Sequence, residues 1–459
     1  MMGAHLLFPT KSSIIEMEVH IVSREMMKPS SPAIKHQKPY KLCLLDQLTP
    51  TTYGPIIYFY PVNNLFSKST LAHLKESLIK TLNLYYPFSG RAKDNLYIDR
   101  FEEGVPFFEA KVNCSMSYFL KHYETESLLN LFLPSHPFSK EIDMSIALVA
   151  VQVSMFTCGG IAVGLCLSHK LIDAATASSF VTTWASFCRG DPKNVIQPDF
   201  EQPSTFFPSS TSLPQNYLSL MERIWFVKAN YITKRFVFDA KAIAALRAKA
   251  KAKLEAEPTR IATLSCFIWK CSMAASRAIS GAPKPSILVE AVNLRQKTKP
   301  PMKDSSTGNL FWWAVALASP TDTNSTELNE LESMLSEAIA VYKSDYTHSL
   351  QGENGLKIMS EYCEQLEGMF SLEEPDIFGF TSWSKTPFTR PNFGWGEPFW
   401  VGLMAKPGPE FRNLTVFIDT KDGKGIEAWI TLDEARMSIL QRDPEFLAFA
   451  SPNPRISSL

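Results

Sequence analysis

Hydrophobic and polar positions change their spacing many times along the chain, which predicts strands and helices in irregular succession. From Met17 onward apolar and polar residues alternate up to a Pro-Ser-Ser-Pro turn, as in a half-exposed strand. The run PIIYFYPV is almost wholly apolar and predicts a buried strand. The leucines from Leu71 to Leu82 recur at spacings of three and four residues, which indicates a helix with Ser69 as candidate N-cap.

The order of these patterns divides the chain into two parts. Residues 191–214 are rich in proline and serine and have no period, so they are a candidate linker. Strand and helix patterns lie on both sides of it, with two helices expected between Thr326 and Met369, and without repeats or regular βαβ alternation. This predicts an α/β fold with mixed sheets in two lobes, residues 17–190 and residues 215–459.

Charge and composition narrow the class of partner. The 459 residues include 46 basic and 46 acidic side chains, so the formal net charge at pH 7 is zero. A neutral chain has no overall field to hold a polyanion, which argues against nucleic acid and acidic membranes as main partners. No stretch approaches the roughly 20 apolar residues of a membrane span. Residues 1–16 make a poor secretory signal, and eight cysteines without a CxxC pair favour a cytoplasmic protein without structural zinc.

One histidine differs from the other seven in its setting. His169 follows the apolar strand GIAVGLCLS and opens the turn HKLIDAATA, so the end of a buried strand holds it rigidly. Asp173 lies four residues further on. The spacing fits a satisfied half-buried histidine, a metal pair that lacks an evident third ligand, or a general base with an orienting carboxylate.

A second constellation lies in FTSWSKTPFTRPNFGWGEPFW. Gly394 and Gly396 flank Trp395, which indicates a close backbone approach or an aromatic-rich turn. Other motifs are missing: the chain has no GxSxG nucleophile elbow, no phosphate-binding GxxxxGK[ST] loop and no GxGxxG fingerprint. The lysine-rich run from Arg247 to Lys253 is typical of a solvated helix face.

Together these segments resemble the BAHD family of plant acyl-CoA-dependent acyltransferases, in its alkaloid acetyltransferase group. The resemblance extends over nearly the whole chain from Met17, and its blocks occur in the family's order. They are LLDQL, LKESLIKTLNLYYPFSGR, HKLID (the family's HxxxD), PTRIATLSCFIWK, VNLR, the Gly308-Asn309 turn, TSW, NFGWG and GIEAW.

The resemblance implies a particular architecture and chemistry. Two similar-sized lobes of mixed sheet and helices, like those of chloramphenicol acetyltransferase, are joined by the crossover loop 191–214. A segment around residues 388–408 packs back onto the first lobe, and an active-site channel runs between the lobes. The family is usually monomeric and uses acyl-CoA, here most simply acetyl-CoA, as a co-substrate without a tightly bound cofactor.

The resemblance also assigns roles to residues of this chain. His169 is the general base, and Thr381 and Trp383 of TSW stabilise the reacting centre. Asp173 belongs to the same catalytic motif but is expected to pair with Arg295 and shape the His169 loop. The residues assigned to coenzyme A are Ser265, Asn309, Asn392, Gly394, Trp395 and Gly396.

The chain departs from the family at Asn392, where the pattern DFGWG has aspartate. Asparagine keeps the size and can accept a hydrogen bond, but it carries no charge. The expected function is transfer of an acetyl group from CoA to a hydroxyl of a plant alkaloid. Two alternatives stay open: a weakened relative that binds small molecules, and transfer of malonyl or another acyl group to a terpenoid or phenolic acceptor.

Overall fold

The structure is a computed structural model that describes ten stretches of the chain. These are residues 16–62, 68–122, 125–138, 146–213, 217–251, 257–321, 326–343, 346–372, 375–408 and 411–456. Among them, no helix is both long enough and apolar enough to cross a membrane.

The strands of the described chain fall into two large mixed sheets and one small sheet. In chain order they are β1 (Val19–Met27), β2 (Tyr40–Lys41), β3 (Tyr53–Tyr60), β4 (Arg91–Lys93), β5 (Tyr97–Asp99), β6 (Val105–Val112), β7 (Val149–Met155), β8 (Ile161–Ser168), β9 (Tyr231–Phe238), β10 (Ser286–Asn293), β11 (Phe311–Ala318), β12 (Asp376–Ser382), β13 (Trp400–Gly402), β14 (Leu414–Asp419), β15 (Ile426–Asp433) and β16 (Ser451–Pro452).

Helices cover these sheets. They are α1 (Leu44–Gln47), α2 (Lys68–Leu84), α3 (Met116–His122), α4 (Ala174–Arg189), α5 (Gln202–Phe206), α6 (Tyr217–Trp225), α7 (Ala240–Lys251), α8 (Arg260–Ser280), α9 (Leu328–Ala340), α10 (Tyr346–Ser349), α11 (Gly355–Leu372), α12 (Glu434–Leu440) and α13 (Pro444–Leu447). Short 3-10 segments are Pro32–His36, Tyr86–Ser89, Thr125–Phe132, Pro192–Asn194, Arg295–Lys297, Val341–Lys343 and Pro387–Thr389.

The first sheet has the strand order β1-β6-β7-β8-β3-β13. Its central strands β3 and β8 pair antiparallel, and every residue of both is buried. Two packed helices, α2 and α4, belong to the same lobe, and the indole N–H of Trp184 on α4 donates to Leu74 O on α2 at 3.1 Å. The buried strand β8 ends at Ser168, so His169 emerges from the most rigid part of the lobe.

The last strand of the first sheet comes from far along the chain. In β13, Trp400 pairs with Phe59 of β3, and the two rings stack with centroids 4.9 Å apart. The hydroxyl of Tyr58 donates to Phe388 O at 2.7 Å, and that of Tyr60 donates to Pro391 O at 2.7 Å. The segment that contains NFGWG is therefore fastened to β3 along its length.

The second sheet has the strand order β11-β10-β12-β14-β15-β9-β16. Helix α8 packs on it, begins at the N-cap Thr259 and ends at Gly281, whose φ of 73° suits glycine. The α/β fold with two mixed-sheet lobes that the sequence predicts is confirmed.

Local predictions differ from the structure at two places. The helix with the leucine face begins at Lys68, so Ser69 lies inside its first turn rather than at its N-cap. The region from Thr326 to Met369 contains α9, α10 and α11 instead of two helices. The chain turns between them because Gly352 takes a φ of 72° and Gly355 lies where a Cβ would be 2.1 Å from Leu350 O.

Two glutamates are buried together in the second lobe. Glu290 on β10 accepts a 2.8 Å hydrogen bond from Ser265 on α8, and Glu332 lies on the neighbouring helix α9. Burial raises the pKa of each carboxyl to about 7, and the charge of Glu332 adds to the effect on Glu290. Near neutral pH these groups are therefore partly protonated inside the lobe.

Glu332→Gln should flatten the pH dependence of stability between pH 5 and pH 8. Because the folded pKa is raised, the stability contributed by this group is full below the unfolded pKa and is lost as the pH rises through about 7. A glutamine cannot ionise, so the variant should lose about 1–3 kcal/mol less than the wild type over this range. Urea unfolding at each pH measures the difference.

Glu337→Gln is the matched control, because Glu337 is exposed on the same helix. Its stability should follow the wild-type curve. Parallel curves for Glu332→Gln and the wild type would contradict the buried titration.

Candidate active site

A cavity of about 220 Å³ lies between the two lobes. Both lobes and the segments around Phe138, Trp225 and Phe411 contribute to its wall. The lining residues are Thr49, Pro50, Thr52, Phe138, His169, Asp173, Ala174, Ala175, Trp225, Ala291, Asn293, Phe311, Trp313, Phe380, Thr381, Ser382, Trp383, Thr386, Phe411 and Leu414. None of them is a lysine or an arginine.

His169 enters this cavity from the end of β8. Its backbone N–H donates to Thr52 O at 2.8 Å, which continues the pairing of β8 with β3 by one residue. Gly54 lies beside the imidazole, and a Cβ there would be in ordinary van der Waals contact with Nε2 at 3.8 Å. Burial lowers the pKa of His169, although Asn309 and Asp173 oppose the shift. The imidazole is therefore neutral at physiological pH, as a proton acceptor must be.

Asp173 does not contact His169 as an orienting base partner would. It is the N-cap of α4 and accepts from Thr176 N at 2.8 Å. Its two oxygens receive the guanidinium of Arg295 at 2.7 and 3.0 Å, and Leu310 N–H also donates to it at 3.0 Å. Burial alone would raise the pKa of Asp173, but these partners hold it below the ordinary value. The carboxylate thus fixes the turn that carries His169.

Asn309 fixes the same turn from the second lobe. Its Nδ2 donates to His169 O at 2.6 Å and to Asp46 Oδ1 at 3.1 Å, and its backbone N–H donates to Asp46 Oδ1 at 2.8 Å. The preceding Gly308 has a φ of 151°, and a Cβ there would be 3.3 Å from the Asp46 carboxylate. Glycine is therefore needed at the point where this turn meets α1.

Two buried charges lie beneath the His169 turn. Burial raises the pKa of Asp46 to about 6. Burial lowers the pKa of Lys170 to about 8, and its Nζ donates to Asp46 O, Thr49 O and Asn95 Oδ1 at 2.9–3.0 Å. Sequence reasoning did not assign either residue a role. The signal was present, because Asp46 lies in the LLDQL block and Lys170 in HKLID.

Thr381 and Trp383 lie at the end of β12 and line the cavity together with His169. Side chains two residues apart on a strand point to the same face, so Thr381 and Trp383 lie on one face. Ala291 and Asn293 of the neighbouring strand β10 line the same cavity. The structure therefore brings His169, Thr381 and Trp383 to one cavity.

The NFGWG loop lies apart from the residues that line the cavity. Asn392 Oδ1 accepts from Gly394 N at 2.9 Å and from Gly396 N at 3.1 Å, and its backbone oxygen accepts from Arg189. Both glycines have positive φ, 112° and 100°. Trp395 stacks on Phe393 with ring centroids 5.6 Å apart. The asparagine thus closes the loop through an oxygen that an aspartate would also supply.

Ser265 lies elsewhere. It is fully buried in α8, bonded to Glu290, and does not line the cavity. A direct contact with coenzyme A would require this residue to leave its buried bond. Asn309 is also fully buried, and its shown contacts hold the His169 turn.

Aromatic side chains that the sequence did not single out form much of the cavity wall. Phe311 lies 6.3 Å from His169 between ring centroids and 5.0 Å from Trp313, which lies 5.2 Å from Trp225. Phe411 stacks on Trp225 at 5.9 Å and on Phe138 at 4.6 Å, and Phe138 lies 6.5 Å from His169. The six rings form a closed series of contacts, so the base faces an apolar enclosure.

A neutral histidine in a cavity between two mixed-sheet lobes can accept a proton from a small molecule bound there.

Comparison with known proteins shows the class of protein, an acyltransferase. A model described as the Transferase family matches residues 17–447. Akuammiline synthase 2 from Alstonia scholaris is 36% identical over 449 residues, 96% of this chain and 98% of that protein. A limonoid 7-O-acetyltransferase from Citrus sinensis is 36% identical over 462 residues, which cover 95% of this chain and 99% of that protein. The crystal structure of vinorine synthase matches with a TM-score of 0.79 at 30% identity, covering 96% of this chain and 100% of that one. This chain belongs to the Transferase family, the BAHD acyltransferases.

Arg295→Gln should destabilise the protein by about 3–5 kcal/mol, because the buried carboxylate of Asp173 would lose its charged partner. The free energy of unfolding in urea measures this loss. Lys303→Gln is the control. Lys303 also pairs with an aspartate, Asp199, at 2.8 Å, but its side chain is exposed. The control should unfold close to the wild type, and equal losses in both variants would contradict a special role of the buried pair.

Proposed function

We propose that this protein transfers an acetyl group from acetyl-CoA to a hydroxyl of an alkaloid, with His169 as the general base. The observation that carries the proposal is the imidazole of His169, neutral and placed in the cavity that Thr381 and Trp383 also line. A thioester is already an activated donor, so the enzyme needs only to deprotonate the hydroxyl, position it and stabilise the oxyanion.

The reaction has two proton transfers at one atom. Nε2 of His169 accepts the hydroxyl proton as the oxygen attacks the thioester carbonyl. The tetrahedral intermediate then expels the CoA thiolate as the C–S bond breaks, and Nε2 returns the proton to the sulfur. The hydroxyl of Thr381 and the indole N–H of Trp383 are the donors to the oxyanion.

Asn309 sets the tautomer that this step requires. Nδ1 of His169 and Oδ1 of Asn309 are both buried without a hydrogen-bond partner among the described residues. A bond between them in the complex with substrates would keep the proton on Nδ1 and leave the lone pair on Nε2. Asp173 contributes by holding the turn through Arg295.

Coenzyme A carries phosphates, and a group of exposed cations lies where β12 and β14 end. Lys385 and Arg390 follow β12, and Lys421 and Lys424 lie in the hairpin after β14. Lys385 N–H donates to Asp419 Oδ2 at 2.6 Å, which joins the two segments. Since Thr386 lines the cavity, these four side chains, the basic mouth, are the proposed phosphate site.

The lining favours acetyl over malonyl. A malonyl carboxylate inside a cavity requires a cation to offset its loss of hydration. Among the described residues that line this cavity there is neither lysine nor arginine, and the one carboxylate, Asp173, is already paired with Arg295.

The acceptor class has one specific alternative. The match to a limonoid acetyltransferase is as close, at 36% identity, as the match to akuammiline synthase 2. A terpenoid alcohol would also fit an aromatic, uncharged enclosure. Panels of alkaloid and terpenoid alcohols with acetyl-CoA and malonyl-CoA, with products identified by mass spectrometry, separate these acceptors and donors.

His169→Ala should lower kcat/KM by about 10²–10⁴, the usual worth of a general base. The wild-type rate should inflect below the ordinary histidine pKa, because burial lowers the pKa of His169 and keeps the base neutral in mild acid. Release of CoA from acetyl-CoA in the presence of the acceptor measures both. The control is His73→Ala, which removes an exposed histidine of α2. A His169→Ala protein as active as this control would disprove the assigned base.

Asn392→Asp should change kcat by less than about threefold, because a group that only closes a remote loop adds little to transition-state binding. Either side chain offers an oxygen to Gly394 N and Gly396 N. Steady-state kinetics with acetyl-CoA provide the test. A large rise in kcat would instead favour the alternative that this chain is a weakened relative acting as a small-molecule binding protein.

A further inference from the structure

A second, smaller cavity lies directly behind two residues of the active-site wall. It has a volume of about 10 Å³ and shares Trp225 and Trp313 with the larger cavity. Its other lining residues are Met221, Ile224, Ile287, Val289, Val315 and Leu366. The two indoles thus separate the reaction cavity from an apolar space, which we call the recess.

Strand register places the recess in line with the active site. On β10, Asn293 and Ala291 line the reaction cavity, and Val289 and Ile287 line the recess. Residues two apart point to the same face and are about 6.6 Å apart along a strand. Trp313 pairs with Ala291, at the boundary between the two spaces. One face of the second sheet therefore runs from the His169 end into the recess.

Glycine at position 379 allows Trp225 to close this path. Gly379 pairs with Val289, and a Cβ on it would be 2.7 Å from the Trp225 ring. On its other side the indole stacks on Phe411, with an angle of 9° between the rings. The ring therefore has a defined seat between β12 and Phe411.

The direction of the donor follows from the position of its phosphates. The basic mouth lies beyond the C-terminal ends of β12 and β14, next to Thr386 and Trp383. With the phosphates at this proposed site, the pantetheine arm would enter along the strands and the thioester would reach His169. The acyl chain would then point toward Trp313 and Trp225, because it extends from the carbonyl on the side opposite to the sulfur.

We propose that Trp225 and Trp313 restrict the acyl donor to short chains, and that the recess would take a longer chain if either indole were smaller. This inference rests on the proposed use of acyl-CoA. The acyl group would then lie on apolar side chains along its whole length, and each methylene placed there would add to binding.

The test compares the dissociation constants of hexanoyl-CoA and acetyl-CoA by calorimetry without an acceptor. Trp225→Leu and Trp313→Leu should each shift the ratio at least about tenfold in favour of hexanoyl-CoA, the scale of methylene discrimination in apolar pockets. Both dissociation constants are measured on the same preparation of each variant, so a fraction of unfolded protein affects both and cancels in their ratio.

Two further variants control for general damage. Trp312→Leu removes a buried tryptophan of the same strand that lines neither cavity, and its ratio should equal that of the wild type. Adding Val289→Phe to Trp225→Leu should refill the recess and return the ratio toward the wild-type value.

The outcomes separate this inference from the proposed function. If acetyl-CoA binds and the ratios of the two wall variants stay at the wild-type value, the wall does not set chain length. A gain that Trp312→Leu reproduces also overturns the inference. A wild type that binds no acyl-CoA overturns the proposed function, and the inference with it.

Discussion

The buried ion pair between Asp173 and Arg295 is the contact on which the geometry around His169 depends. Arg295 is 1% exposed, and its guanidinium also donates to Thr176 Oγ1, Ser306 O and Gly308 O at 2.9–3.2 Å. Removing an arginine from water costs several kcal/mol, and only such complete bonding offsets it. Asp173 follows β8 and Arg295 follows β10, so the bond forms only when the lobes are docked. The position of His169 is thereby tied to the docking of the two lobes.

The contacts between the two lobes also bury the imidazole of His169, which keeps it neutral. The turn after Gly308 brings Asn309 onto Asp46 and His169, and Lys170 lies beneath with its charge directed at oxygen atoms of the first lobe. Burial removes water from around the imidazole, which lowers the pKa of His169 although Asn309 opposes the shift, and it strengthens each remaining electrostatic interaction. Burial therefore contributes both the free base and the low-dielectric surroundings in which an oxyanion is best stabilised.

The sequence predicts local motifs, but it does not predict which residues form the cavity wall. The strand before His169 is encoded by neighbouring residues, so the apolar run GIAVGLCLS predicts it, whereas the cap at Asp173 was found only in the structure. The role of Asp173 needed the family resemblance, because spacing alone left a polarising carboxylate open. Phe138, Trp225 and Phe411 are far apart in the chain, and only tertiary packing brings them together. Asp46 was hidden for the same reason, since its partner Asn309 is 263 residues away.

The net charge of the chain is zero, but the charged side chains around the cavity are unevenly distributed. Among the described residues of the cavity lining, the single carboxylate is neutralised by a buried arginine and the others are aromatic or uncharged. Outside, exposed lysines and an arginine gather at the ends of β12 and β14, the end of the sheet nearest to His169. The proposed acyl-CoA donor has charged phosphates at one end and an apolar acyl group at the other. This arrangement would separate the two ends, with the exposed cations holding the phosphates and the apolar wall accepting the acyl group. A positive charge spread over the whole surface would attract CoA to many places, whereas cations gathered at one end of the cavity would bind its phosphates there and orient the molecule.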